Sequence, residues 1–158
     1  VNRNPVSTSL AVQSARRTIA ILPMLMQAPA NQDLRTHMAE AALLAGLAFS
    51  NTKTALAHSL SYDITLQYGV PHGIACSFSL PLVLEMALGA DDVADAALLS
   101  IFDATTPASA VERLTAFLQG LGVATDPARY GVDSNAWQAM VKKAASGPRG
   151  RNFIRALA

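Results

Sequence analysis

The chain has 158 residues, enough for one domain with a real core and too few for two ordinary enzyme domains. Apolar residues make up 51% and charged residues only 15%, against the ~25% charged share usual in soluble domains, so part of the apolar surface is expected to meet a partner domain or subunit. A formal net charge of +1 with scattered Lys and Arg excludes the clustered basic face of a nucleic-acid binder. No stretch reaches the ~20 apolar residues of a membrane-spanning helix.

The start, Val1-Asn2-Arg3-Asn4-Pro5, has neither an initiator Met nor a signal-peptide pattern and reads as cut from something longer. Asn4 before Pro5 predicts an N-cap with proline at the first helical position, and Ala11, Ala15, Thr18, Ile19 and Leu22 follow at helical spacing until Pro23 ends or kinks the helix. Asp33 is expected to cap a second helix carrying Leu34, Met38, Ala41, Ala45 and Phe49. From Ala41 to Phe49 it is apolar all round, which predicts a helix covered on every side.

A third helix is expected from about Thr54 to Tyr68. Leu60, Ile64 and Tyr68 form its packing stripe, while Thr54, His58, Ser61, Tyr62 and Thr65 form a hydroxyl-rich stripe suited to a wet cleft. Gly69 and Pro71 then end one helix and open the next, which should run from Pro71-His72-Gly73 to about Leu88 with a kink at Pro81. Asp91-Asp92 caps and charges a helix to about Phe102. Thr106-Pro107 opens the next, with Val111, Leu114, Leu118 and Leu121 as its stripe before Gly122. Asp133 or Ser134 starts the last clear helix, bearing Trp137, Met140, Val141 and Ala144 on one face. The tail from Gly147 onward is basic, with Arg149, Arg151 and Arg155. No alternating strand pattern of useful length occurs, so the expected fold is all-α, a bundle of about seven helices in a single domain.

Two of the three histidines, His58 and His72, flank the Gly69-Val70-Pro71 break. On one unbroken helix their side chains would stand ~21 Å apart, whereas two ligands of one ion each approach it to ~2.0–2.1 Å, so the chain must turn between them if they share a metal. The single cysteine, Cys76, precludes an internal disulfide framework and fits a reducing, cytoplasmic setting; it reads as a buried small hydrophobe. Asp33 and His37, one helical turn apart, form a second carboxylate–imidazole pair, and a complete small metal site using them is an alternative.

The run Ala45-Gly46-Leu47-Ala48-Phe49-Ser50-Asn51, the fourteen-residue spacing from His58 to His72 and the Pro71-His72-Gly73-Ile74-Ala75 turn occur together and in order. In these motifs the chain resembles the C-terminal domain of the iron-containing (group III) alcohol dehydrogenases, with weaker similarity over nearly all of its length. The resemblance implies a dehydroquinate synthase-like helical domain that binds metal and substrate beside a separate N-terminal nucleotide-binding domain, which is absent from this chain. It implies His58 and His72 as the last two ligands of a divalent metal, iron or zinc, the first two being an Asp and a His expected before Val1. It also implies NAD(P), bound by the other domain, as hydride carrier for a small alcohol or aldehyde; the apolar composition points to a homo-oligomer, and the scattered charge and short apolar runs to no nucleic-acid or membrane partner.

Many relatives carry a histidine where this chain has Tyr62, the candidate catalytic residue. A free phenol ionises near ~pH 10 and relays protons poorly at neutral pH, so Tyr62 either relays with help or shapes the pocket. Asn51-Thr52-Lys53-Thr54 looks more like the subgroup that reduces phosphonoacetaldehyde, with Lys53 and Thr54 as candidate substrate-binding residues for an anionic aldehyde; the alternative for Lys53 is a helix-start lysine facing water. With two imidazoles and no cofactor domain, the chain alone is expected to bind metal poorly and to be inactive. A rival of a different class is a non-catalytic helical dimerisation or interaction module.

Overall fold

Capping chemistry sets most of the helix starts. In the computed structural model, which describes residues 3–154, Asn4 Oδ1 accepts from the Ser7 amide while Ser7 Oγ accepts from the Asn4 amide, a reciprocal box that opens α1 (Pro5–Gln27). Val1, Asn2 and Arg155 lie outside the described residues. The same device, Thr106 with Ser109, opens α7 (Pro107–Gly120). Asp91 and Asp133 cap α6 (Asp92–Ile101) and α8 (Ser134–Ser146) through their carboxylates.

Between these lie α2 (Gln32–Thr52), α3 (Leu56–Tyr68), α4 (His72–Ser77) and α5 (Leu80–Ala87), with short 3₁₀ turns at Pro127–Tyr130 and Gly150–Asn152. The described residues hold eight α-helices and no strand, in accord with the all-α expectation. None of these helices is long and apolar enough to cross a membrane.

Helices α1 and α2 pair as an antiparallel hairpin. Ser14 Oγ donates to the Ala41 carbonyl at 2.8 Å, and Arg17 pairs with Glu40 nearby. Helix α1 in turn touches α6, and Arg16 pairs with Asp103 just beyond that helix. The main core gathers Leu56, Leu60 and Ile64 of α3, Phe78, and Met140 and Ala144 of α8, closed by Phe153 from the tail. A second cluster, Leu84 and Leu88 against Ala110, Leu114 and Leu118, packs α5 on α7; half-buried Leu98 and Val123 join the two. Phe78 sits at the centre of the main core, 1% exposed, its ring tilted against those of Tyr130 and Trp137 at centroid distances of 5.1 and 5.5 Å.

Four expectations are corrected. Asn31, not Asp33, caps α2: its side chain accepts from the Leu34 amide, and Asp33 sits in the first turn. Of the end or kink expected at Pro23, the end does not occur, since α1 runs through Pro23 to Gln27. The expected kink at Pro81 is a full break, because Pro81 has no amide for the Ser77 carbonyl and its ring crowds that same group, so the ladder stops one turn earlier at Ser77. Helix α2 is not covered on every side. It packs chiefly on α1, leaving Leu43, Leu47 and Phe49 at least half exposed.

Candidate metal centre

The turn between α3 and α4 brings the two histidines together. Helix α3 ends at Gly69, whose φ of +67° and amide bond to the Thr65 carbonyl reverse the chain at low steric cost. Pro71 follows in an extended conformation (ψ 134°), and α4 opens on His72 itself. His58 lies in the first turn of α3 and faces it, the imidazole centroids 5.1 Å apart and nearly perpendicular. The required turn is therefore present.

Cys76 joins the pair. It lies one turn after His72 on α4, so both side chains share a face. Its Sγ is 3.6 Å from His58 Nδ1 and 3.6 Å from His72 Nε2. Ligand atoms of His58, His72 and Cys76 all lie within 4.8 Å of one another, the group of metal-ligating type found among the described residues. Cys76 is half-buried at the rim of this site, not a core hydrophobe. The His72-to-Cys76 spacing was the available signal in the sequence.

Tyr62 stands one turn along α3 from His58, edge-on to its ring at 5.3 Å, with the His72 ring 6.2 Å away. Arg149, which the sequence placed only in a basic tail, lies over the Tyr62 ring. Its guanidinium carbon is 5.0 Å from the Tyr62 ring centroid and its Nε donates to Thr54 Oγ1 at 3.2 Å. Asn152 holds that tail in place by donating to the Thr52 and Thr54 carbonyls. Thr54 thus reaches the site through Arg149.

Lys53 occupies the α2–α3 link with φ +64° and ψ 175°, a region rarely adopted by side-chain-bearing residues. It lines a mainly apolar cavity of about 570 Å³ between α1 and α5–α7, which contains neither histidine. The cavity lining offers no ligand set for a metal. Ser61 turns inward, fully buried and donating to the His58 carbonyl, and Thr65 Oγ1 is buried too, so the wet stripe reduces to Thr54, His58 and Tyr62. Asp33 and His37 stay apart from the site, His37 Nδ1 contacting Glu40 at 3.3 Å.

Burial, the His72 ring and the Arg149 charge together push the His58 imidazole below its ordinary pKa. A neutral imidazole is the form that ligates, and paired neutral imidazoles fit iron(II) or zinc alike. The residues present thus fit part of a divalent-metal centre.

Comparison with known proteins agrees with this geometry. Residues 1–156 match the family described as Fe-containing alcohol dehydrogenase family, C-terminal. The chain is 34% identical over 85 residues to 1,3-propanediol dehydrogenase of Citrobacter freundii, covering 54% of this chain and 22% of that protein. It is 28% identical over 163 residues to long-chain-alcohol dehydrogenase 1 of Geobacillus thermodenitrificans, covering 94% of this chain and 40% of the relative. The structure of an alcohol dehydrogenase from Oenococcus oeni superposes with a TM-score of 0.88 at 25% identity, over 100% of this chain and 43% of that one. The chain spans less than half the length of the curated relatives it matches. Motif, fold and whole-chain match converge: this chain belongs to the iron-containing alcohol dehydrogenase family and corresponds to its C-terminal domain.

Proposed function

We propose that this domain supplies His58 and His72 as two ligands of a divalent metal in an NAD(P)-dependent alcohol dehydrogenase or aldehyde reductase. The observation that carries the reading is the approach of the two imidazoles across the Gly69–Pro71 turn, 5.1 Å between centroids, in a chain of this family. When bound, the metal supplies Lewis-acid polarisation of a carbonyl or alcohol oxygen and the nicotinamide carries the hydride.

The chain's own residues provide placement. His58 is kept neutral by its surroundings and so is ready to ligate near neutral pH. Tyr62 stands edge-on to His58 and beneath Arg149, and serves as a wall of the substrate pocket that fixes the histidine's orientation. In the protein that carries this domain, His58→Ala and His72→Ala should each lower alcohol-dependent NAD(P)H formation at least ~100-fold, as expected for a ligand rather than an outer-shell residue. Full activity in both variants overturns the proposal. The 158-residue chain by itself should show no turnover.

A second reading, favoured by Arg149, makes the substrate an anionic aldehyde. The guanidinium sits beside the candidate pocket on Thr54 and Tyr62, and a planar cation with several donors suits a phosphonate or sulfonate group. Arg149→Met should then raise KM for an anionic aldehyde at least ~10-fold while leaving KM for a neutral aldehyde of equal size nearly unchanged.

A further inference from the structure

We propose that the apolar groove between α1 and α5–α7 is the seat of the polypeptide that directly precedes Val1 in the protein carrying this domain, packed there as a helix of about three turns. The inference stands on packing and chain order and is independent of the reading of His58 and His72 as metal ligands.

The groove holds about 570 Å³, whereas protein interiors contain few voids larger than a water molecule. Water is a poor filling for it, because a buried water needs ~2–4 polar partners and this lining is mainly apolar. Most of the polar side chains at its edge are already engaged. Ser7 and Thr18 donate to the Asn4 and Ser14 carbonyls, Arg3 to Asp91, and Asn152 to the Thr52 and Thr54 carbonyls. A peptide segment lying here must therefore bond its own amides and carbonyls internally, as a helix does. The walls suit one: Ala11 and Ala15 of α1, Ala87 of α5, and Ala94 and Ala97 of α6 line the groove. Side chains this small let a further helix approach to an interaxial distance of ~8–10 Å. Along α1 the groove runs from Thr8 to Ile19, ~17 Å of helix, which sets the three turns.

Chain order selects the occupant. Arg3 already lines the groove, and its guanidinium is pinned to Asp91 at the start of α6 at 2.8 Å. Chain that precedes it therefore enters at the rim, and a loop of ~2–5 residues returns a helix antiparallel to α1. The relatives carry such chain. This domain matches the C-terminal part of its family and covers 43% of the Oenococcus structure and 40% of the Geobacillus relative. A competing occupant is an anionic amphiphile, whose head would anchor on Lys53, an exposed cation of the lining with no side-chain partner among the described residues.

The test uses the protein that carries this domain, grown with a photoreactive diazirine analogue in place of leucine. Leu98 and Leu114 line the groove, and the analogue is close enough to leucine in size to leave the fold intact. Irradiation should join α6 or α7 peptides to the stretch directly preceding Val1 of the same chain, and His58→Ala should leave those products unchanged. In parallel, Ala97→Trp should lower Tm by at least ~5 °C, whereas Ala20→Trp, at an exposed position of α1 outside the groove, should not. Cross-links found only between isotopically distinct copies would make the groove a dimer seat. A small-molecule mass retained in native spectra and lost in Lys53→Met would make it an amphiphile site. Either result overturns the proposal. So does the absence of any product from α6 and α7, or an Ala97→Trp protein at least as stable as its parent, since an indole would then have room. The metal reading fails separately, through full activity of the histidine variants.

Discussion

Replacing Gly150 by Ala should detach the tail that seats Arg149. Gly150 is buried under the last turn of α8, and a Cβ there would fall 2.1 Å from the Ala145 carbonyl oxygen and 2.2 Å from that of Ala144. Both are backbone atoms of a helix end, so no side-chain rotation relieves the overlap. The turn at Gly150–Asn152 must lift instead. Lifting it withdraws Phe153 from the main core, where it is 7% exposed, a loss that approaches the ~3–5 kcal/mol of a buried Phe→Ala change. It also breaks the two Asn152 bonds to Thr52 and Thr54, at ~1 kcal/mol each. Partial undocking brings the expected cost to about 3 kcal/mol, and at ~2–4 °C per kcal/mol for a chain of this size Tm should fall by ~6–12 °C. Urea unfolding followed by far-UV circular dichroism measures this. A change within ~0.5 kcal/mol would refute the reasoning, because it would mean that the turn accommodates a methyl group where the backbone contacts leave no room.

Lys53→Gly should stabilise the domain by up to ~2 kcal/mol in the same assay, since relief of the strained link at ~1–3 kcal/mol outweighs the ~0.5–1 kcal/mol entropic cost of glycine; an unchanged or lower stability argues that the Lys53 side chain makes compensating contacts. Asp91 is held below the usual carboxylate range first by its bond from Arg3 and then by the Ala94 amide it caps. That stability is fully present above about pH 4 and is lost as pH falls through the lowered pKa, so Asp91→Asn should flatten the acid limb of the stability profile below about pH 4 and leave its slope near neutrality unchanged. Leu43→Gln with Leu47→Gln should reduce self-association in sedimentation experiments without lowering helical content, because both side chains lie on the open face of α2.

Local chemistry was the most legible part of the chain. The caps at Asn4, Thr106, Asp91 and Asp133 depend on one side chain reaching an amide two or three residues on, which the sequence states directly. The meeting of His58 and His72 was legible because Gly69 and Pro71 specify a reversal between them. Coverage was not. Periodicity told that α2 is apolar around its circumference, but only tertiary packing decides that α1 covers one side and nothing described covers Leu43. Pro81 by itself specifies a disturbed helix but not where the ladder stops, because the missing amide and the ring act on Ser77, one turn back. Arg149 could not be read into the site, since its approach to Tyr62 depends on Gly150 and Phe153 docking on α8 and α3. The burial preference of cysteine says nothing of Cys76, whereas its four-residue spacing from His72 puts both side chains on one face of α4.

The most direct test of the metal centre is anomalous diffraction from zinc-grown crystals of the protein that carries this domain. The account predicts one peak at about 2.0–2.1 Å from a ring nitrogen of both His58 and His72. A peak at Asp33 and His37 instead, or none between the two imidazoles, would contradict it.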